Sequence, residues 1–174
     1  MKANRNQIPL YLLGSALLAL PVIGQAQFIY TTNNGAITIT QYTGSGGDVV
    51  IPNKVGNLPV TTVGSSAFYQ VSALTSVTFG TNVTTIAPNA IFQCPSISSV
   101  AISASVTNIG TGPVIDCNRL TTISVNSTNS YYTNVNNVLF NKSLKSLIEF
   151  PGGVGGSYTI PASVTNIGQA FIGN

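Results

Sequence analysis

Few side chains in this sequence can do chemistry. Cys94 and Cys117 stand 23 residues apart, the acids are Asp48, Asp116 and Glu149, and there is neither His nor Trp. A catalytic thiol needs a base to activate it, and no His exists to serve. A structural zinc needs about four N or S ligands, more than two Cys can offer. Acid–base work, glycoside cleavage included, needs carboxylates that converge. Asp48, Asp116 and Glu149 fall in three separate segments, and nothing in the spacing draws two of them together. Asp116 and Arg119 read as a local surface pair worth little. Gly44-Ser45-Gly46-Gly47-Asp48 occurs once, where glycine-rich calcium sites need tandem copies, and reads as a loop. The glycines between 152 and 156 lack the Lys and Ser/Thr of a phosphate-cradling loop. The expectation is a protein that is not an enzyme and has no cofactor and no metal.

The chain around these residues has 174 positions, six Lys+Arg against three Asp+Glu, and 44% apolar residues. Thr, Ser and Asn number 20, 18 and 18, about a third of the whole. Disorder requires low hydrophobicity with high net charge, and long helices require abundant Ala, Glu, Lys and Leu. Neither description fits. Small polar residues with Val, Ile, 17 Gly and 9 Pro suit short strands punctuated by turns.

Lys2 and Arg5 precede residues 8–23, which carry no charge, and Gly24-Gln25-Ala26 follows with small residues at the third and first positions before a cut. That is the layout of a secretory signal peptide over residues 1–26. The apolar run is shorter than the ~20 residues of a membrane span and is broken by Pro9, Gly14 and Pro21. Without it, Lys54, Arg119, Lys142 and Lys145 face three acids. Four scattered cations make no basic stripe, so no nucleic-acid partner is expected. The mature chain is expected to be secreted or at the cell surface, with no membrane span of its own.

A 23-residue period organises the remainder. Val60, Val83 and Val106 form one apolar column; Val63, Ile86 and Ile109 a second; Phe68, Ile91 and Val114 a third. Leu74, Ile97 and Leu120 form a fourth, Val77, Val100 and Ile123 a fifth, and Phe79, Ile102 and Val125 a sixth. The spacing Leu74, Val77, Phe79 is the L-x-x-L-x-L core of a leucine-rich repeat. Each unit has one apolar face that closes only against its neighbours. The predicted fold is a mostly β solenoid of leucine-rich repeats with ~23-residue coils, little helix, and a parallel sheet on one face built from 76–79, 99–102 and 122–125. Side chains alternate along a strand, so Thr78, Ala101 and Ser124 must point outward.

The flanks extend the scheme. Asn33-Asn34-Gly35 between two apolar runs signals a hairpin, so residues 27–59 read as a capping hairpin with the first coil. Residues 60–128 hold three repeats. The period breaks over 129–159, where Val138-Leu139-Phe140 and Leu147-Ile148-Glu149-Phe150 read as an inserted hairpin. Residues 160–174 form an incomplete terminal repeat, read as part of a longer array or, alternatively, as a short natural end paired with another chain, and its uncovered edge invites self-association.

Residues 60–82 (VTTVGSSAFYQVSALTSVTFGTN) and the two units after them resemble the BspA-like, or Treponema-type, leucine-rich repeats of bacterial surface proteins. That pattern runs V-T-x-I-G-x-x-A-F-x-x-C-x-x-L-x-x-I-x-I-P. Ala67-Phe68, Cys94, Cys117, Ile160-Pro161 and Val164-Thr165-Asn166-Ile167-Gly168 sit on it, while Val71 replaces the Cys of the first unit and Pro113-Val114 the Ala-Phe of the third. The resemblance implies a secreted or cell-surface binding module, some relatives being adhesins.

Cys94 and Cys117 occupy one column a single coil apart. Stacked strands lie ~4.8 Å apart and disulfide Cα distances run about 4.4–6.8 Å, so a disulfide is conceivable in an exported protein. Buried thiols acting as small hydrophobes are the alternative, favoured by Val71 in the same column. The expected contact surface is the outer face of the sheet, Ser76, Thr78, Ser99, Ala101, Thr122 and Ser124, for an extracellular protein or glycan. Exposed aromatics favour such contacts too, and Tyr69, Tyr131 and Tyr132 are candidates. The rival readings are a structural spacer in a larger envelope protein and an exported enzyme acting on a polysaccharide.

Overall fold

The computed structural model describes residues 27–168; the signal peptide expected over 1–26 and the final residues 169–174 lie outside the described residues. Every helix-free coil follows from the column pattern, and the described residues hold strands and turns but no helix. The chain winds as a β-solenoid with ~23-residue spacing. None of its described elements is a helix long and apolar enough to cross a membrane.

The strands Leu74–Thr78, Ser99–Ile102 and Thr122–Val125 lie side by side in parallel. Their register is set by the columns: Val77 pairs with Val100 and Val100 with Ile123. A fourth strand, Gly47–Val50, adds to the edge of Leu74–Thr78, with Asp48 beside Ser76. Apolar burial fixes this register, because a one-residue slip would turn Val77, Val100 and Ile123 to solvent. All the column residues are buried except Ile109 and Val125, which are half-buried and both belong to the third unit.

The return legs hold more regular structure than the sequence pattern suggests. Two further parallel ladders run up the stack, Thr62–Thr85–Asn108 with its neighbours and Phe68–Ile91–Val114 with its own. Coils stacked at strand spacing bring every extended dipeptide beside its copies, so backbone groups pair there that would otherwise be orphaned. The corners between ladders are left-handed: Ser66, Asn89 and Gly112 form one column of positive φ, and Gln70, Gln93 and Asp116 another.

At the N-terminal end Phe28–Asn33 and Ala36–Tyr42 form an antiparallel hairpin through Asn34 and Gly35, both at positive φ. Its second strand pairs in parallel with Leu58–Val63, so the hairpin continues a solenoid ladder. Phe28, Tyr42 and Phe68 cluster there, with Tyr42 stacked on Phe68 at 5.1 Å between ring centroids. The glycine-rich loop turns into this end tightly. A Cβ at Gly46 (φ 101°) would lie 2.5 Å from the carbonyl carbon of Ala73, so only glycine fits.

Between 129 and 159 the structure has three antiparallel strands where the sequence suggested two: Tyr132–Val135, Val138–Asn141 and Ser146–Glu149. Asn136 and Asn137, both at positive φ, make the extra turn. Asn166–Ile167 then pairs in parallel with Ser146–Glu149. The last described unit therefore stacks on the insertion, and a cleft of about 210 Å³ separates it from Ile109 and Gly110 of the third coil. The exposed backbone of that coil is met by Tyr132, whose hydroxyl accepts the Ile109 N–H at 2.9 Å.

Candidate functional site

The outer face of the long strand ladder is built by alternation. Val77, Val100 and Ile123 turn into the core, so Ser76, Thr78, Ser99, Ala101, Thr122 and Ser124 face away, half-buried or exposed. In register, Ser76 lies beside Ser99 and Thr122, and Thr78 beside Ala101 and Ser124. The six positions thus form two short rows across three coils. Several hydroxyls on and beside the face are engaged with the coil before. The Ser98 hydroxyl donates to the Thr75 carbonyl at 3.2 Å, and the Thr121 hydroxyl to the Ser98 carbonyl at 3.3 Å. Thr78, Ala101 and Ser124, whose hydroxyl also donates to the Val100 carbonyl at 3.5 Å, border a groove of about 360 Å³ rimmed by Thr81, Ser103 and Asn126. Every rim group is a hydroxyl or an amide, and the floor between them is apolar, made of Phe79, Ile102 and Val125.

Asp48 brings a negative charge to one edge of this face. It lies in a strand, where the sequence suggested a loop, because the ladder extends by one more coil. The Ser76 and Thr75 hydroxyls donate to its Oδ1 at 2.7 and 2.8 Å. These two bonds, Ser76 first, hold the carboxyl below its ordinary value.

The other acids lie elsewhere. Asp116 sits at a left-handed corner and takes the Gln93 side-chain amide at 3.4 Å, in place of the Arg119 contact expected from sequence. Glu149, on the last strand of the insertion, is buried. Asp48 is therefore exposed at the outer face while Glu149 lies inside the molecule, an arrangement that does not make a carboxylate pair. Cys94 and Cys117 are buried free thiols. Cys94 donates to the Phe68 carbonyl at 3.5 Å and Cys117 to the Ile115 carbonyl at 3.3 Å. The Cys94 thiol beside it, together with burial, pushes the Cys117 thiol up. Cys117 is no nucleophile in that state, since the thiolate is the reactive form; its thiol in turn shifts Cys94 the other way, below its ordinary value.

Tyr69, a candidate from sequence, belongs to a second surface whose other members sequence reasoning did not single out. Tyr69 stacks on Phe92 one coil on, 5.6 Å between centroids and 22° between planes, and Tyr69 is 51% exposed. Alongside runs an amide ladder in which Gln70 Nε2 donates to Gln93 Oε1 at 3.0 Å and Gln93 Nε2 to Asp116 Oδ2. The signal was present as two more columns at the 23-residue period. Of the other tyrosines, Tyr131 is exposed, whereas Tyr132 is committed to the third coil's backbone.

The model of the BspA type leucine rich repeat region matches residues 41–174 in six copies. Among solved structures, a leucine-rich repeat protein from Eubacterium ventriosum is similar over 85% of this chain and 55% of its own, at 20% identity and a TM-score of 0.43. The pneumococcal vaccine antigen PcpA is similar over 84% and 60%, at 16% identity and a TM-score of 0.39. A leucine-rich repeat protein from T. pallidum is similar over 83% and 80%, at 18% identity and a TM-score of 0.38. The chain spans about half the length of the first of these. No protein of curated function matches it.

Proposed function

The chain belongs to the BspA-type family of leucine-rich repeats, and from that premise we propose that it is a secreted or cell-surface module that binds an extracellular protein or glycan without catalysis. Its contact surface is the outer face of Ser76, Thr78, Ser99, Ala101, Thr122 and Ser124. The groove over Thr78, Ala101 and Ser124 carries this reading: it is open, in register across three coils, and lined by neutral donors and acceptors. Such a surface recognises by shape and hydrogen bonding, with little electrostatic steering. The leader-like residues 1–26 support export.

The test presents the mature chain to immobilised matrix proteins and to neutral glycans, beside Ala101→Arg, which sets a long cation in the middle of the groove and leaves the buried columns alone. The expected result is retention on at least one surface, weakened about tenfold or more by Ala101→Arg. Retention on none would favour a spacer. Hydrolysis of a glycan that disappears on joint replacement of Asp48, Asp116 and Glu149 would favour an enzyme.

A further inference from the structure

The three-stranded insertion has two faces. Val138, Phe140, Leu147 and Phe150 form a small core of its own, whereas Leu139 joins the core of the repeats. The cross-strand partner of Leu139 on that second face is Glu149. An aliphatic side chain would complete the seal there; the chain places a carboxylic acid instead.

Glu149 is 4% exposed, and its Oε2 has no hydrogen-bond partner among the described residues. It borders a cavity of about 10 Å³ with Ile102, Ile109, Val114, Ile123 and Leu139. That space holds one water at most, and apart from Glu149 its apolar walls, Phe79 among them, supply none of the two to four polar partners such a water needs. Among the described residues the carboxyl receives the Val114 backbone N–H alone. The cavity lining has no Lys or Arg, and the titratable neighbour is Cys117, itself beside Cys94 and pushed up. An unpaired carboxylate in such a place is costly, and among the described residues no cation or added donor is at hand to offset it. A proton is what remains.

We propose that Glu149 is a proton lock: as the neutral acid it holds the insertion against the end of the repeat core, and its ionisation releases the insertion while the repeats stay folded. Burial pushes Glu149 up from 4.5 to about 9. The sign follows from linkage. Docked, the group keeps its proton; released, it has lost it at any pH above its ordinary value. The stabilisation is full below 4.5, and between there and about 9 the opening equilibrium rises about tenfold per pH unit. The Asn134 and Asn129 amides that also hold the insertion have no titratable group, Asn134 Oδ1 accepting the Val125 N–H at 3.0 Å and Asn129 Nδ2 donating to the Ser103 carbonyl at 2.9 Å, and burial raises the Tyr132 phenol above 10.0. The chain has no His, the usual titrating side chain near neutrality.

The test is amide exchange on the whole chain, corrected for the intrinsic rate, from about pH 5 to about pH 8. Residues 138–150 should lose protection by up to about tenfold per pH unit while residues 74–102 keep theirs, and Glu149→Gln should make the first segment insensitive to pH. Equal protection of 138–150 across the range, a wild-type slope in Glu149→Gln, or opening of 74–102 in step would each overturn the proposal. Should Glu149→Gln misfold, infrared difference spectroscopy of the wild type decides. The carbonyl stretch of a neutral carboxylic acid is expected near pH 7, and its absence there would overturn the lock.

Discussion

Asn129 ties the insertion to the second and third coils with both polar atoms of its side chain. Its Nδ2 donates to the Ser103 and Val106 carbonyls at 2.9 and 3.0 Å, and its Oδ1 accepts the Tyr131 and Tyr132 N–H groups at 2.8 Å each. Asn129→Ala strands those backbone groups in a site 1% exposed, and thermal unfolding should report a loss of about 3 kcal/mol. Asp48 gives a sharper reading, because its carboxyl is held low by named bonds. A depressed folded value contributes stability above 3.8 that disappears as pH falls through it. The Asp48 carboxyl carbon should titrate below 3.8 by NMR, and Ser76→Ala should move the midpoint upward. The thiols report on the core. Cys94→Val, which copies Val71 in the same column, should cost at most about 1.5 kcal/mol. A loss of about 2–5 kcal/mol would point to a disulfide.

The repeat columns convert burial into a graded scale along the stack. Ile97 is fully buried in the middle coil, so Ile97→Ala should cost about 3–4 kcal/mol in chemical unfolding. Val125, half-buried in the third unit, should lose about 1 kcal/mol when cut to Ala. Equal losses would mean the coils do not share one core. These columns were readable in the sequence because a buried stack permits few residue types and repeats them at a fixed interval. The return-leg strands were not, since two-residue elements such as Thr85–Ile86 are too short to show alternation. The left-handed corners hid for a related reason: Ser66, Gln70 and Gln93 are not the Asn or Gly that mark positive φ. Tyr132–Val135 hid as well, because all four of its residues are half-buried and no polar and apolar alternation survives.

Taken whole, the molecule is a stack of coils with a hairpin at one end and an insertion near the other, leaving a neutral groove across three coils. The outward direction of Thr78, Ala101 and Ser124 followed from strand alternation, while the depth of the groove depended on Phe79, Ile102 and Val125 beneath it, which spacing alone does not give. Contact through so uncharged a surface should depend weakly on salt, with affinity changing less than about threefold between low and physiological ionic strength. The most direct measurement of the binding claim is an amide-exchange footprint of the chain with whichever matrix protein or glycan retains it. Added protection should centre on 76–81, 99–103 and 122–126. Protection confined to the Tyr69 and Phe92 side, with those three segments unchanged, would contradict it.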